Sequence, residues 1–201
     1  MATRTTELEA LNVLLMSVNA PLEASTSDLT GEAAKALAVL RETSKTVQAH
    51  GWEWNTDYGV ALSPDSDGYL MLGSDVIRCD QTDGAFTEVN VTQRGDKLYD
   101  RKNNTFVFTS DITVTQVRAF DWELLPEAAR KYITLLAARL FRDRVRGDNK
   151  GRQSVPTDEE VRALIILQEA EADNADYNIF DAYSTYSILD RSVNATLRDI
   201  T

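Results

Sequence analysis

The spacing of apolar residues changes its period twice along this chain, and this change constrains the fold more than any other feature. Apolar residues recur at helical spacing in residues 6–19 and 31–49. From residue 52 to residue 120, short alternating runs are separated by turn residues, and helical spacing resumes at Pro126. Helices and strands that occupy separate stretches of sequence indicate an α+β protein. The sequence therefore predicts a four-helix bundle with an antiparallel β-rich insertion between helices 2 and 3 and an extended C-terminal tail.

This division gives four segments. Residues 1–51 would supply helices 1 and 2, and residues 122–176 would supply helices 3 and 4. Residues 52–121 would form the β-rich insertion, and residues 177–201 would form the tail.

Signals at the ends of the predicted helices support their positions. Thr5 or Thr6 can cap the first helix, and Gly51 follows the second helix where a left-handed residue is expected. Thr157 and Glu160 have the spacing of a capping box, in which the threonine caps the helix and the glutamate reaches back. Behind this box, apolar or large residues recur at the spacing of a fourth helix: Val161, Leu164, Ile165 and Gln168.

The middle of the chain has the pattern of short antiparallel strands. Strand-like runs occupy residues 69–72, 89–92, 105–108 and 112–117, and turn residues such as those at 94–96 separate them. We expect hairpins to join these strands. Trp52 and Trp54 alternate with polar residues, so both indoles are predicted to face one side of a first strand. That side would pack where the sheet meets the helices or would contact another subunit.

Composition excludes several classes of protein. A single cysteine, Cys79, excludes an internal disulfide framework and predicts synthesis in a reducing cytosol. The start of the chain does not resemble a signal peptide, and no apolar run is long enough to span a membrane, so we expect no membrane insertion. A formal net charge of -11 argues against a protein that wraps DNA, but it suits a wall along which DNA slides.

Catalytic and metal-binding patterns are weak in this sequence. His50 is the only histidine, and its position at a predicted helix end favours a structural role. One histidine and one cysteine do not make a typical zinc site, and no nucleotide-binding loop is present, so no cofactor is predicted. A glycosidase needs only two carboxylates. The pairs that could serve are Glu53 with Asp57 and Asp121 with Glu123.

Arginines cluster near the end of the third helix of this otherwise acidic chain. They are Arg139, Arg142, Arg144 and Arg146. The acidic run 158–160 lies nearby in sequence, which favours charge balance within the subunit. The same cluster is also a candidate for head-to-tail pairing between subunits, a kind of contact that can close into a ring.

The residues after 176 are apolar and aromatic enough to form an interface. The candidate docking residues in this tail are Tyr177, Asn178, Ile179, Phe180, Tyr183, Tyr186, Ile188 and Leu189. The tail would either reach a partner protein or pack on its own helices.

Several short motifs, in order along nearly the whole chain, carry a resemblance to a known family. They include the segments at 9–12, 17–21, 50–55, 98–101, 111–114, 125–130, 138–141 and 177–181. In their order these segments resemble the tail tubular protein A family, the tail adaptor or gatekeeper of short-tailed podoviruses. The departures lie at residues 81–86 and in the last dozen residues.

This resemblance implies a structural virion protein with no catalytic residues. It implies a dodecameric ring that joins the portal protein to the tail nozzle, which is tubular protein B, and that continues the channel for the genome DNA. The protein would be made in the host bacterial cytoplasm and would end in the tail of the virion. The resemblance also makes the portal the expected partner of the tail segment.

Two other functions stay open at this point. One is a virion-associated hydrolase of peptidoglycan or polysaccharide that uses a carboxylate pair. The other is a small cytosolic scaffold or chaperone with the same layout.

Overall fold

Four α-helices flank a group of five β-strands in this computed structural model, which describes residues 4–81, 89–146 and 156–174. The helices are α1 (Glu7–Ser17), α2 (Gly31–Gln48), α3 (Glu127–Arg146) and α4 (Asp158–Asn174). The strands are β1 (Thr56–Leu62), β2 (Val76–Gln81), β3 (Val91–Arg94), β4 (Lys97–Asp100) and β5 (Ile112–Arg118). The predicted α+β class is confirmed.

The helices gather around α3, which contacts α1, α2 and α4. Their apolar faces form a large helical cluster that contains, among others, Leu11, Leu15, Leu40, Ile133 and Phe141. The strands enclose a second and smaller cluster, the β cluster, which includes Leu70, Leu98 and Val114. The described residues thus have two separate apolar cores.

Local signals fix the helix ends largely as the sequence predicts. The Thr6 side chain accepts a hydrogen bond from the backbone of Glu9, and the Glu9 carboxylate accepts one from the backbone of Thr6. Gly51 has a φ of 82°, as expected for the left-handed residue after α2. Only half of the predicted capping box of α4 forms. The Thr157 hydroxyl accepts from the Glu160 N–H at 3.2 Å, but the Glu160 carboxylate binds Arg139 instead of reaching back.

The strands form one sheet by long-range pairing and one hairpin. The three-stranded sheet is antiparallel with the order β1-β5-β2, so its central strand comes last in the sequence. The pair β3-β4 is a hairpin whose turn contains Gly95 and Asp96. The predicted strands at 69–72 and 105–108 are reduced to isolated bridges, one of which joins Tyr69 to Val107. Strands β2 and β4 are not in the predicted set.

The prediction that a strand begins at Trp52 is wrong. Residues Glu53–Asn55 form a 3₁₀ turn, and β1 begins only at Thr56. The Asn55 side chain holds this turn, because it accepts from the Trp52 N–H at 2.8 Å and donates to the carbonyls of Gln48 and Arg118. This one buried amide therefore links the end of α2, the turn and the end of β5.

Candidate subunit-contact surface

A buried ion pair attaches α4 to α3. Arg139 donates to both oxygens of the Glu160 carboxylate, at 2.8 and 3.0 Å, and the two side chains are 12% and 5% exposed. The hydrogen bonds to Glu160 raise the pKa of Arg139, so the guanidinium stays charged. The pair, together with buried Ala163 and Leu167, fixes which side of α4 faces the rest of the subunit.

This orientation turns the predicted apolar stripe of α4 away from the core. Val161 and Ile165 are 46% and 47% exposed, and Ile166 is 56% exposed. The sequence pattern failed here because the buried face of α4 includes a charged residue, Glu160, which an apolar pattern does not count. The outward stripe is the candidate functional surface that the sequence reading missed.

The other end of α4 contacts the 3₁₀ turn. The backbone N–H of Glu53 donates to the Glu171 carboxylate, whose second oxygen is buried and has no hydrogen-bond partner in the described part of the chain. Burial raises the pKa of Glu171, and the charge of Glu53 acts in the same direction. The indole N–H of Trp54 is likewise buried and unpaired among these residues. This contact joins α4 to the start of the β-rich region.

The tryptophan candidates pack inside the subunit. Trp52 is buried in the helical cluster and donates its indole N–H to the Val47 carbonyl at 2.8 Å. Trp54 is partly buried against the same cluster, with its ring 6.3 Å from that of Phe120. The His50 ring lies 4.9 Å from the Trp52 ring, so it packs at the end of α2.

The candidate arginines do not converge on one spot. Arg144 pairs with Glu42 of α2 at 2.7 Å, and both of these side chains are more than half exposed. Arg142 lies 4.0 Å from its neighbour Asp143, and Arg146 is the last residue of α3. Arg139 therefore faces α4 whereas Arg144 faces α2, and each contact balances charge within the subunit. The tail candidates at 177–189 lie outside the described residues.

An exposed ion-pair group at the edge of the sheet was also missed. Arg118, the last residue of β5, contacts Asp57 at 3.3 Å and also binds Asp75, which precedes β2. These carboxylates raise the pKa of Arg118. The partners are 61 and 43 residues away in sequence, so no local signal could have paired them.

The carboxylate pairs proposed for a hydrolase have structural contacts. Glu53 accepts from the Tyr58 hydroxyl at 2.8 Å, and Asp57 binds Arg118. Asp121 and Glu123 border a polar groove of about 440 Å³ at the end of α2. Among the described residues, no group of three His, Cys, Asp or Glu side chains is placed to hold a metal ion. No helix in these ranges is both long and apolar enough to cross a bilayer.

Comparison with known families gives one match. The model of a family described as tail tubular protein matches residues 8–177. A search of curated proteins finds no match.

Proposed function

The chain belongs to the tail tubular protein family, whose members are structural proteins of the bacteriophage tail, and from this premise we propose that it is the adaptor between portal and tail nozzle. The match over residues 8–177 carries the proposal, since it covers all four helices and all five strands as far as Asn174. In this role the protein is not an enzyme, and it needs no cofactor.

In the proposed assembly, twelve copies form a ring. Residues 1–51 and 122–176 act as one four-helix bundle and build the wall of this ring. Residues 52–121 project toward the nozzle, tubular protein B, and residues 177–201 dock on the portal. The contacts that α3 makes with α1, α2 and α4 support the bundle, because they join helices from both ends of the chain. The protein is made in the host bacterial cytoplasm and is incorporated into the virion tail.

Genome DNA passes through the channel of this ring without specific binding. The net charge of -11 supports this step, because an acidic protein repels the phosphate backbone.

The proposed contact residues divide into two groups. Arg142, Arg144 and Arg146, near the end of α3, are candidates for direct contact with a neighbouring subunit. Arg139, Trp52 and Trp54 act from inside the subunit, since they hold α4 and the 3₁₀ turn in place. The tail residues from Tyr177 to Leu189 contact the portal.

Native mass spectrometry of the purified chain, alone and mixed with the portal protein of the same phage, tests the proposal. We expect a complex of twelve copies on the portal. A variant with Phe180→Ser and Tyr183→Ser should keep the same fold by circular dichroism but bind the portal more weakly. A chain that stays monomeric in the presence of portal would contradict the adaptor function.

A further inference from the structure

We propose that the outer face of α4 in one copy docks into the groove between α2 and α3 of the next copy. This inference rests on the ring of the proposed function and specifies which surfaces meet. The occupant of the groove is a second copy of this chain.

The outer face of α4 has the chemistry of an interface. Val161 and Ile165 lie one turn apart on the side opposite the buried residues Ala163 and Leu167. Ala172, two turns further on, continues the stripe and is exposed. An apolar stripe that faces solvent along a helix leaves the subunit incomplete as a monomer.

The groove between α2 and α3 has a matching apolar floor. It has a volume of about 510 Å³ and is lined by Ala38, Val39, Phe141 and Val145 among others. Val145 is exposed, whereas Phe141 is buried beneath the floor. Apolar side chains of α4 can therefore lie on apolar side chains here.

These two surfaces lie on opposite sides of α3. Successive residues of an α-helix are rotated by about 100° around its axis. On this spacing Leu135 and Arg139, which face α4, point roughly away from Phe141 and Val145, which face the groove. Surfaces on opposite sides of a subunit allow head-to-tail association, which a ring requires.

The two surfaces also lie at the same height along α3. Glu160, the residue before Val161, contacts Arg139, and Phe141 lies only two residues beyond Arg139. Because the rise is about 1.5 Å per residue, the start of the stripe and the groove differ by only a few ångströms along the helix. A head-to-tail contact without a large rise closes into a ring instead of growing into a filament.

Charge adds a preference for this pairing. Four carboxylates on α4 are exposed, those of Asp158, Glu159, Glu169 and Asp173, against the single exposed cation Arg162. Lys35 lines the groove, and within the described ranges it forms no ion pair. An acidic helix face and a lysine at the groove set the orientation of approach more than the affinity.

Cysteine crosslinking of the full-length chain tests the contact. The variant with Val161→Cys and Ala38→Cys, assembled into rings and then oxidised, should give a ladder of covalent multimers. Either single variant should give none. The native Cys79 is buried and its pKa is raised to about 11, so it does not compete. The matched control replaces Ala38→Cys by Thr46→Cys, which lies on α2 outside the groove, and should not crosslink.

A charge exchange gives a second measurement that does not depend on oxidation. Lys35→Glu should lower the fraction of ring about two- to fivefold, and adding Glu169→Lys should restore it. Dimers from Val161→Cys alone would show that α4 packs on α4 and would overturn the proposal. Protection of Val161→Cys from maleimide in the monomer would show that the chain covers its own stripe, with the same consequence.

The outcomes separate this inference from the adaptor function. Wild-type rings with no crosslink in the double variant would overturn the docking pair but leave the adaptor function intact. Failure of the wild type to form any ring, alone or with portal, would overturn both.

Discussion

The helical region and the β-rich region are held together by different kinds of interaction. The helical cluster includes a nearly buried ion pair, Arg139–Glu160, whereas the ion pairs of Arg118 at the sheet edge are largely exposed. Each region has its own apolar cluster, and the polar network of Asn55 connects them. The difference indicates that the helical region resists disturbance as one rigid unit, while the sheet depends on its small core and on the junction.

Each region also carries its own intrinsic probe. All three tryptophans, Trp52, Trp54 and Trp122, pack in the helical cluster. The only cysteine, Cys79, is buried in the β cluster. Tryptophan fluorescence therefore reports on the helical region, and labelling of the thiol reports on the β-rich region.

Breaking the buried ion pair should have the largest effect. Arg139→Ala leaves the Glu160 carboxylate buried and unpaired, so the free energy of unfolding should fall by about 3–5 kcal/mol. Arg144→Ala removes an exposed pair with Glu42 and should cost less than about 1 kcal/mol. Urea denaturation followed by tryptophan fluorescence measures both. Equal losses would remove the contrast between buried and exposed pairs.

A cavity in the β cluster should show whether the two regions unfold separately. Leu98 is fully buried, and Leu98→Ala should cost about 3 kcal/mol. We expect the urea midpoint from Cys79 labelling to fall more than the midpoint from tryptophan fluorescence. Phe141→Ala in the helical cluster should show the reverse. If both probes shift together in both variants, the chain unfolds as one cooperative unit.

The junction between the regions should be weaker than either core. Asn55→Ala leaves the Trp52 N–H and two carbonyls without their partner, at a cost of about 2 kcal/mol. The exposed Asn103→Ala, also in the β-rich region, serves as control and should cost less than about 1 kcal/mol. Hydrogen exchange should locate the loss at residues 52–56. A uniform loss of protection over α1–α3 would contradict a local junction.

The smallest effect concerns pH at the end of α4. The pKa of Glu171 is raised above its ordinary value of 4.5, so the folded state binds this proton more tightly than the unfolded state. Its contribution to stability is then fully present below about pH 4.5 and is lost as the pH rises through the folded pKa.

Glu171→Gln should therefore stabilise the protein by a few tenths of a kcal/mol at neutral pH, because the partly exposed site screens the charge. The amide can still accept from the Glu53 N–H. Denaturation midpoints at pH 5 and pH 7.5 measure this effect, and Glu169→Gln on the exposed face is the control. A wild type that gains relative stability as the pH rises would contradict the sign.

The prediction from sequence was best where structure depends on near neighbours. The α+β class, the cap at Thr6, the left-handed Gly51 and the start of α3 after Pro126 all follow from local pattern. The rotation of α4 did not follow, because it depends on an ion pair between Arg139 and Glu160, 21 residues apart. Strand β2 was missed for a similar reason, since it pairs with β5 rather than with an adjacent segment.

The sequence by itself determined the fold class, most helix boundaries and the family, because these depend on periodicity, on caps and on the order of short motifs. Tertiary structure alone decided which face of α4 is free and how the strands are ordered. It also showed that Trp52 and Arg139 act inside the subunit. The physical reason is that burial and charge pairing join residues far apart in the chain, and a local pattern carries no information about which distant partner each residue meets.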